Sequence, residues 1–210
     1  MPNLSSMSIV CFGDSLTVGY QSPTYEVPYI VETPYGSFLQ ERLGAQAAVM
    51  TSGVCGEVTR DMVVRFQQDV VAHTPDYVVI LGGANDLGGH AAPPDIFSNL
   101  LCLYDQARAA DIRPVAVTVP SITMEVDPAD RHWLDDFMVQ RQHLNRLILD
   151  YCAKHAMACV DLFGATAESD TLLLAGPYSN DGLHLTTEGY RKLADLLYEQ
   201  VFHSRAAGQH

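Results

Sequence analysis

The chain has 210 residues, 48% hydrophobic and 18% charged, enough material for one domain with a sizeable core. Its formal charge of −13 argues against nucleic-acid binding, which needs a positive surface to displace counterions from phosphates, and equally against docking on an anionic membrane. No stretch approaches the roughly 18 apolar residues of a membrane span. The N-terminus MPNLSSMSIVCFGDS shows no basic segment followed by a long apolar run, so the sequence predicts no signal peptide and a cytoplasmic protein. The five cysteines Cys11, Cys55, Cys102, Cys152 and Cys159 are odd in number and form no C-x-x-C pair. They fit reduced thiols better than a disulfide framework or a zinc site, and all but Cys55 fall in apolar segments as small core residues.

Short apolar runs alternate with longer helical patterns along the chain. Residues 8–12 (SIVCF) read as a buried strand, and 35–43, between Pro34 and Gly44, as a helix with a suitable C-terminal stop. Residues 47–51 form a second, weaker strand, followed by a helix over 59–72 with Met62, Val63, Phe66 and Val70 at helical spacing. The clearest strand is 77–81, β-branched and bounded by Pro75 and Gly82. A helix over 96–110 follows Pro93 and Pro94, then a strand over 114–119. A long helix over 130–155 has Phe137, Leu144, Ile148 and Tyr151 along one side. A fifth strand covers 158–162, and the last helix, 187–202, turns Leu193, Leu196, Leu197 and Val201 inward. Residues 1–205 read as a single domain and 206–210 as a frayed tail. This alternation predicts an α/β fold in which a parallel sheet is covered by helices on both faces, and continuous apolar strands are those buried on both sides. Ligands of such sheets lie outside the carboxyl ends of the strands, so functional residues are expected just after strands.

Four loops meet that expectation: Gly13-Asp14-Ser15, 52–59 (SGVCGEVT), 82–86 (GGAND) and 180–190 (NDGLHLTTEGY). Ser15 alone is either a nucleophile or a turn serine. Asp181 and His184 are three apart with Gly182 between them, a spacing at which a carboxylate can bond one imidazole nitrogen within a single turn and leave the other to accept a serine proton. Thr186 or Thr187 then caps the last helix. The same segment also reads as an Asp-Gly turn followed by a polar histidine. Gly56, the Asn85 amide and the Ser15 N–H are candidate donors to an oxyanion, while Gly53 and Gly56 equally suit loop positions of positive φ and Asn85 a turn cap. Asp14 and Asp86 read as acceptors of backbone N–H bonds that shape the site loops.

Taken together, these blocks resemble the SGNH hydrolases, also called the GDSL family of esterases and lipases. Gly13–Leu16 matches Gly-Asp-Ser-Leu, SGVCGE the second block, Gly83–Asp86 Gly-x-Asn-Asp, and Asp181–His184 Asp-x-x-His, in order over most of the chain. The resemblance implies Ser15 as nucleophile, His184 as base, Asp181 as orienting acid, and Ser15, Gly56 and Asn85 as the oxyanion hole. It also implies a three-layer, flavodoxin-like sandwich with strand order 2-1-3-4-5, and no cofactor. The chain departs from the pattern at Cys55, often serine, and at Thr51, usually asparagine, which leaves Gly53 beside Gly56 as a donor. Thr17 stands where the α/β-hydrolase G-x-S-x-G elbow has glycine.

Competing readings are a Cys55 nucleophile with a lowered pKa, and a flavodoxin-like module that binds phosphate or flavin without chemistry. The eight histidines show no H-E-x-x-H and no i, i+4 pair, so no metal is expected. The expected substrate is a small-molecule short-chain carboxylic ester, with a sugar O-acetyl ester, a thioester or a lysophospholipid as alternatives. A histidine base predicts turnover that rises through the ordinary imidazole range, about pH 6.5. The lining is expected from 21–34, 88–95 and 121–133, with Tyr25, Tyr29, Ile122, Met124 and Trp133 either facing the acyl group or packing the loops down. The acids Glu26, Glu32, Glu125 and Asp127 disfavour an anionic leaving group such as coenzyme A.

Overall fold

Residues 6–124 and 131–203 are described by this computed structural model, the side chains of Arg131 and His132 excepted. The acids Glu125 and Asp127, the expected helix start at Asp130 and the tail 206–210 lie outside the described residues. In chain order the elements are β1 (Met7–Gly13), α1 (Ser15–Val18), β2 (Tyr20–Gln21), β3 (Val31–Glu32), α2 (Tyr35–Leu43), β4 (Ala47–Gly53), α3 (Thr59–Asp69), β5 (Tyr77–Leu81), α4 (Ala84–Gly88), α5 (Pro93–Ala109), β6 (Arg113–Val117), α6 (Arg131–His155), β7 (Ala158–Val160), α7 (Leu162–Thr166) and α8 (Thr187–Leu197).

The five longer strands form one parallel sheet in the order β4-β1-β5-β6-β7. Counted along the chain this is the expected 2-1-3-4-5. β2 and β3 pair as a separate short hairpin. Helices α2 and α8 pack together, while α5 packs with both α3 and α6, so the sheet lies between two helical groups.

Burial follows position in the sheet. Ile9, Val10, Cys11 and Phe12 of β1 and all of β5 are buried, because each strand has a neighbour on both edges and helices on both faces. β4 has one neighbour and buries only Ala47, so the expectation of cover on both sides fails there. Phe12 meets Phe66 of α3 edge to face, with ring centroids 5.3 Å apart, and joins the sheet to one helical layer. Of the four cysteines expected in the core, Cys11 and Cys152 are buried and Cys159 partly so. Cys102 is exposed on the outer side of α5, and all five thiols are free.

Boundaries move where a side chain supplies a backbone partner. β6 stops at Val117 because the Val119 N–H donates to the Asn145 side chain at 2.8 Å and the Val119 carbonyl accepts from the same amide. α5 begins at Pro93, where the missing N–H and fixed φ suit the first helical turn. α8 continues into one wide turn over 198–202. The helices α1, α4 and α7 have four or five residues each, too few to display a period. Phe66 is fully buried, so Phe66→Ala should cost about 3–5 kcal/mol and lower the urea midpoint accordingly.

Candidate active site

Ser15 stands at the carboxyl end of a central strand. β1 ends at Gly13, where a Cβ would lie 2.1 Å from the Leu81 carbonyl oxygen and 2.4 Å from Thr17 Oγ1, so only glycine fits. Asp14 turns the chain: its side chain accepts from the Leu16 N–H at 2.9 Å, and its carbonyl from Thr17 and Val18. Gly19, at φ +81°, ends the turn. Ser15 thus opens α1, at a position whose N–H has no acceptor within the helix.

The segment 179–185 approaches from the other end of the chain. Asp181 Oδ1 accepts from the Leu183 and His184 N–H groups at 2.8 and 2.7 Å. Ser179 Oγ receives the Gly182 N–H and donates to the His184 carbonyl at 2.6 Å. Gly182 has φ +77° and lies so close to the Thr123 carbonyl that a Cβ would sit 1.6 Å from its oxygen. The result is a rigid turn that presents the imidazole: His184 Nδ1 is 2.7 Å from Asp181 Oδ2, and Nε2 is 3.2 Å from Ser15 Oγ. The Tyr20 ring lies against the imidazole, centroids 4.5 Å apart. Thr186, not Thr187, caps α8 by accepting from the Gly189 N–H.

A further donor, Ser22, reaches Asp181 Oδ2 at 2.5 Å. Burial pushes the Asp181 carboxyl up, but the bonds from His184, Ser22 and the two N–H groups outweigh it and hold the group well below the usual carboxylate range. Asp14 shows the reverse. Complete burial raises it to about 7, helped by the charges of Asp86 and Glu57 and opposed by the Leu16 N–H and His184.

Asn85 lies in α4, after Gly83 at φ +112°. Its Nδ2 donates to the Glu57 carbonyl at 2.9 Å and lies 3.4 Å from Asp14 Oδ2, next to Ser15. Asp86 accepts from the Thr59 N–H and hydroxyl, the loop-shaping part expected of it. Gly53 pairs with Gly13 at the end of β4, and a Cβ there would lie 2.7 Å from the Val18 nitrogen, so close packing explains this glycine. Gly56 occupies a turn at φ +78° with nothing within 4 Å of a notional Cβ. Cys55 is exposed, and partial burial together with Glu32 and Asp14 raises its thiol. That removes the lowered pKa its nucleophile role requires.

Beside Asn85, Asp181 and Gly182 lies a cavity of about 460 Å³, with Ile122, Met124 and Trp133 in its wall. Tyr25 and Tyr29 do neither of the things expected of them, since both stand in solvent. Among the described residues no three His, Cys, Asp or Glu converge on a possible metal position. Sequence reasoning missed Ser22, Arg65 and Arg141. The first two carry no local signal. Arg141 sits four residues after Phe137 and three before Leu144, on the apolar stripe of α6, and an arginine there is a signal of burial.

The GDSL-like lipase/acylhydrolase family model matches residues 11–192, and the chain belongs to that family. An arylesterase of Vibrio mimicus is 33% identical over 100 residues, a match that spans 46% of each protein. The aryl esterase of M. smegmatis superposes with a TM-score of 0.73 at 22% identity, covering 93% of this chain and 98% of that one. A carbohydrate acetylesterase from Sinorhizobium meliloti does so at 0.72 and 20%, covering 96% and 97%. At such identities the structural likeness is one of fold.

Asp14 yields a pH prediction. Its folded pKa of about 7 lies above its ordinary 3.8, so the protonated form favours folding at low pH and that contribution is lost as pH rises through about 7. Denaturation midpoints should therefore fall in the wild type relative to Asp14→Asn between about pH 4 and 7, and run parallel above.

Proposed function

We propose that the protein is a serine ester hydrolase acting through an acyl-enzyme on Ser15. The observation that carries this reading is the unbroken chain from Asp181 through His184 to Ser15, with contacts of 2.7 and 3.2 Å. Ser15 Oγ attacks the acyl carbonyl carbon as His184 Nε2 takes its proton. The carbonyl oxygen, now negative, is received by the N–H groups of Ser15 and Gly56 and by Asn85 Nδ2. The intermediate collapses, and the ester C–O bond breaks as His184 returns the proton to the departing alcohol. Water then attacks the acyl-enzyme along the same path, losing its proton to His184, and Ser15 is regenerated. Asp181 keeps the Nδ1–H oriented and balances the imidazolium. No cofactor enters this sequence.

Short-chain carboxylic esters suit the 460 Å³ cavity. Deacetylation of a sugar is the second reading, favoured by the shared fold of the S. meliloti acetylesterase. A fluorophosphonate probe should label the wild type and leave Ser15→Ala unlabelled; folded wild type that resists the probe would point to the phosphate- or flavin-binding module. His184→Ala should lose about a thousandfold or more in kcat/KM and Asp181→Ala less, in a p-nitrophenyl ester series measured beside acetylated sugars. Undiminished activity in His184→Ala would sink the assignment.

A further inference from the structure

Two clefts lie side by side between the segment 84–92 and helix α6. The first is the 460 Å³ cavity beside the Ser15–His184 pair, with Asn85 and Gly88 on one side and Trp133 and Phe137 on the other. The second, of about 390 Å³, has Leu87, Ala91 and Ala92 on one side and the same Trp133 and Phe137, with Gln140, on the other. Among the described residues no others line both, so these two rings are the wall that the clefts share.

The wall is held firmly. Trp133 and Phe137, one turn apart on α6, stack with ring centroids 5.5 Å apart and planes 15° apart. The buried Arg141 steadies Phe137 in turn: its guanidinium carbon lies 5.2 Å from that ring's centroid, and its Nη1 donates to the Pro120 carbonyl at 2.5 Å. Phe137 packs against the core, whereas Trp133 is 38% exposed. Phe137 is therefore the floor between the clefts, and the indole stands on it as the partition.

The first cavity has Asn85, a donor to the oxyanion, in its wall, and not His184, whose Nε2 has to face the departing oxygen. The part of the ester that extends into it is then the acyl group. Each methylene that finds apolar wall there adds up to about fourfold in kcat/KM, and the gain ends where the chain meets the indole. We infer that Trp133 sets the length of acyl group this hydrolase accepts, by closing the cavity beside Asn85 off from the second cleft. The inference rests on the ester-hydrolase reading and adds to it the residue that confines the enzyme to short acyl chains.

The test is the acyl-length profile of p-nitrophenyl esters from acetate to decanoate, each kept below its micelle concentration and read as ratios of kcat/KM. In the wild type the decanoate-to-butyrate ratio should be about 0.1 or less. Trp133→Ala should raise that ratio by about tenfold or more, the worth of two methylenes admitted to the second cleft. Trp133→Leu, a milder truncation that guards against a folding defect, should raise it by less. Adding Gln140→Trp to Trp133→Ala refills the second cleft and should bring the ratio back toward the wild type. Acetates of butanol and decanol, which lengthen the alcohol instead, should keep their wild-type ratio in Trp133→Ala. Equal turnover of butyrate and decanoate by the wild type, or an unchanged ratio in both Trp133 variants, overturns the inference and leaves the esterase reading intact. A raised ratio that Gln140→Trp does not lower, or a change confined to the alcohol series, overturns it too. Should no ester be turned over, that reading fails instead, and binding decides. Decanoate, relative to butyrate, should then raise the melting temperature of Trp133→Ala more than that of the wild type; equal shifts overturn the inference.

Discussion

The carbonyl of Gly13 and the guanidinium of Arg65 hold together the parts on which the site depends. Arg65 Nη2 donates to Gly13 O at 2.9 Å and to Glu57 Oε2 at 2.6 Å, while Nη1 reaches Ser52 Oγ and Asp69 Oδ2 at 2.7 and 2.8 Å. Its guanidinium carbon lies 4.1 Å from the centroid of the Phe12 ring. The Val54 N–H shares the same Gly13 carbonyl. The turn that carries Gly56 is therefore bound to the strand that leads into Ser15, and the Glu57 carbonyl passes the constraint on to Asn85. A pair this well enclosed is costly to break from one side, because the remaining partner would be a buried, uncompensated charge. Loops from three strands thereby keep one mutual arrangement.

Asp14 and Asp181 show how donors, rather than residue type, decide the state of a carboxyl. Both flank the site. Asp181 gathers four donors and remains an anion well able to balance an imidazolium. Asp14 has one short bond, complete burial and two acids nearby, so it takes up a proton near neutrality. Opposite displacements of neighbouring carboxyls divide their labour between charge and architecture. Asp14 shapes the turn under Ser15, and below about pH 7 it is chiefly neutral, leaving Asp181 as the partner of His184.

Legibility in the sequence tracked the range of the determining interaction. The strand 77–81 and the helix 35–43 were recovered at their observed bounds because proline and glycine mark their ends. The strand expected to reach Val119 stops two residues earlier, since its partner there is Asn145, a side chain 26 residues away. The exposure of Tyr25 and Tyr29 had no local sign either, because whether a loop aromatic is covered depends on what packs over it. Of the site, the Asp181–His184 contact is local enough to be foreseen from spacing, whereas its approach to Ser15 joins residues 169 apart.

By itself, then, the sequence determined the alternation of strand and helix, the order of the sheet through its match to a known family, and the small and polar residues that follow each strand. Those are properties of short windows and of motif order. Only the tertiary structure decided that Ser22 braces Asp181, that Arg65 locks the Gly56 turn to β1, and that Arg141 is buried with two donors that find no partner among the described residues. Burial and hydrogen-bond satisfaction depend on which distant segments come to share a space, and no window of the chain contains that information.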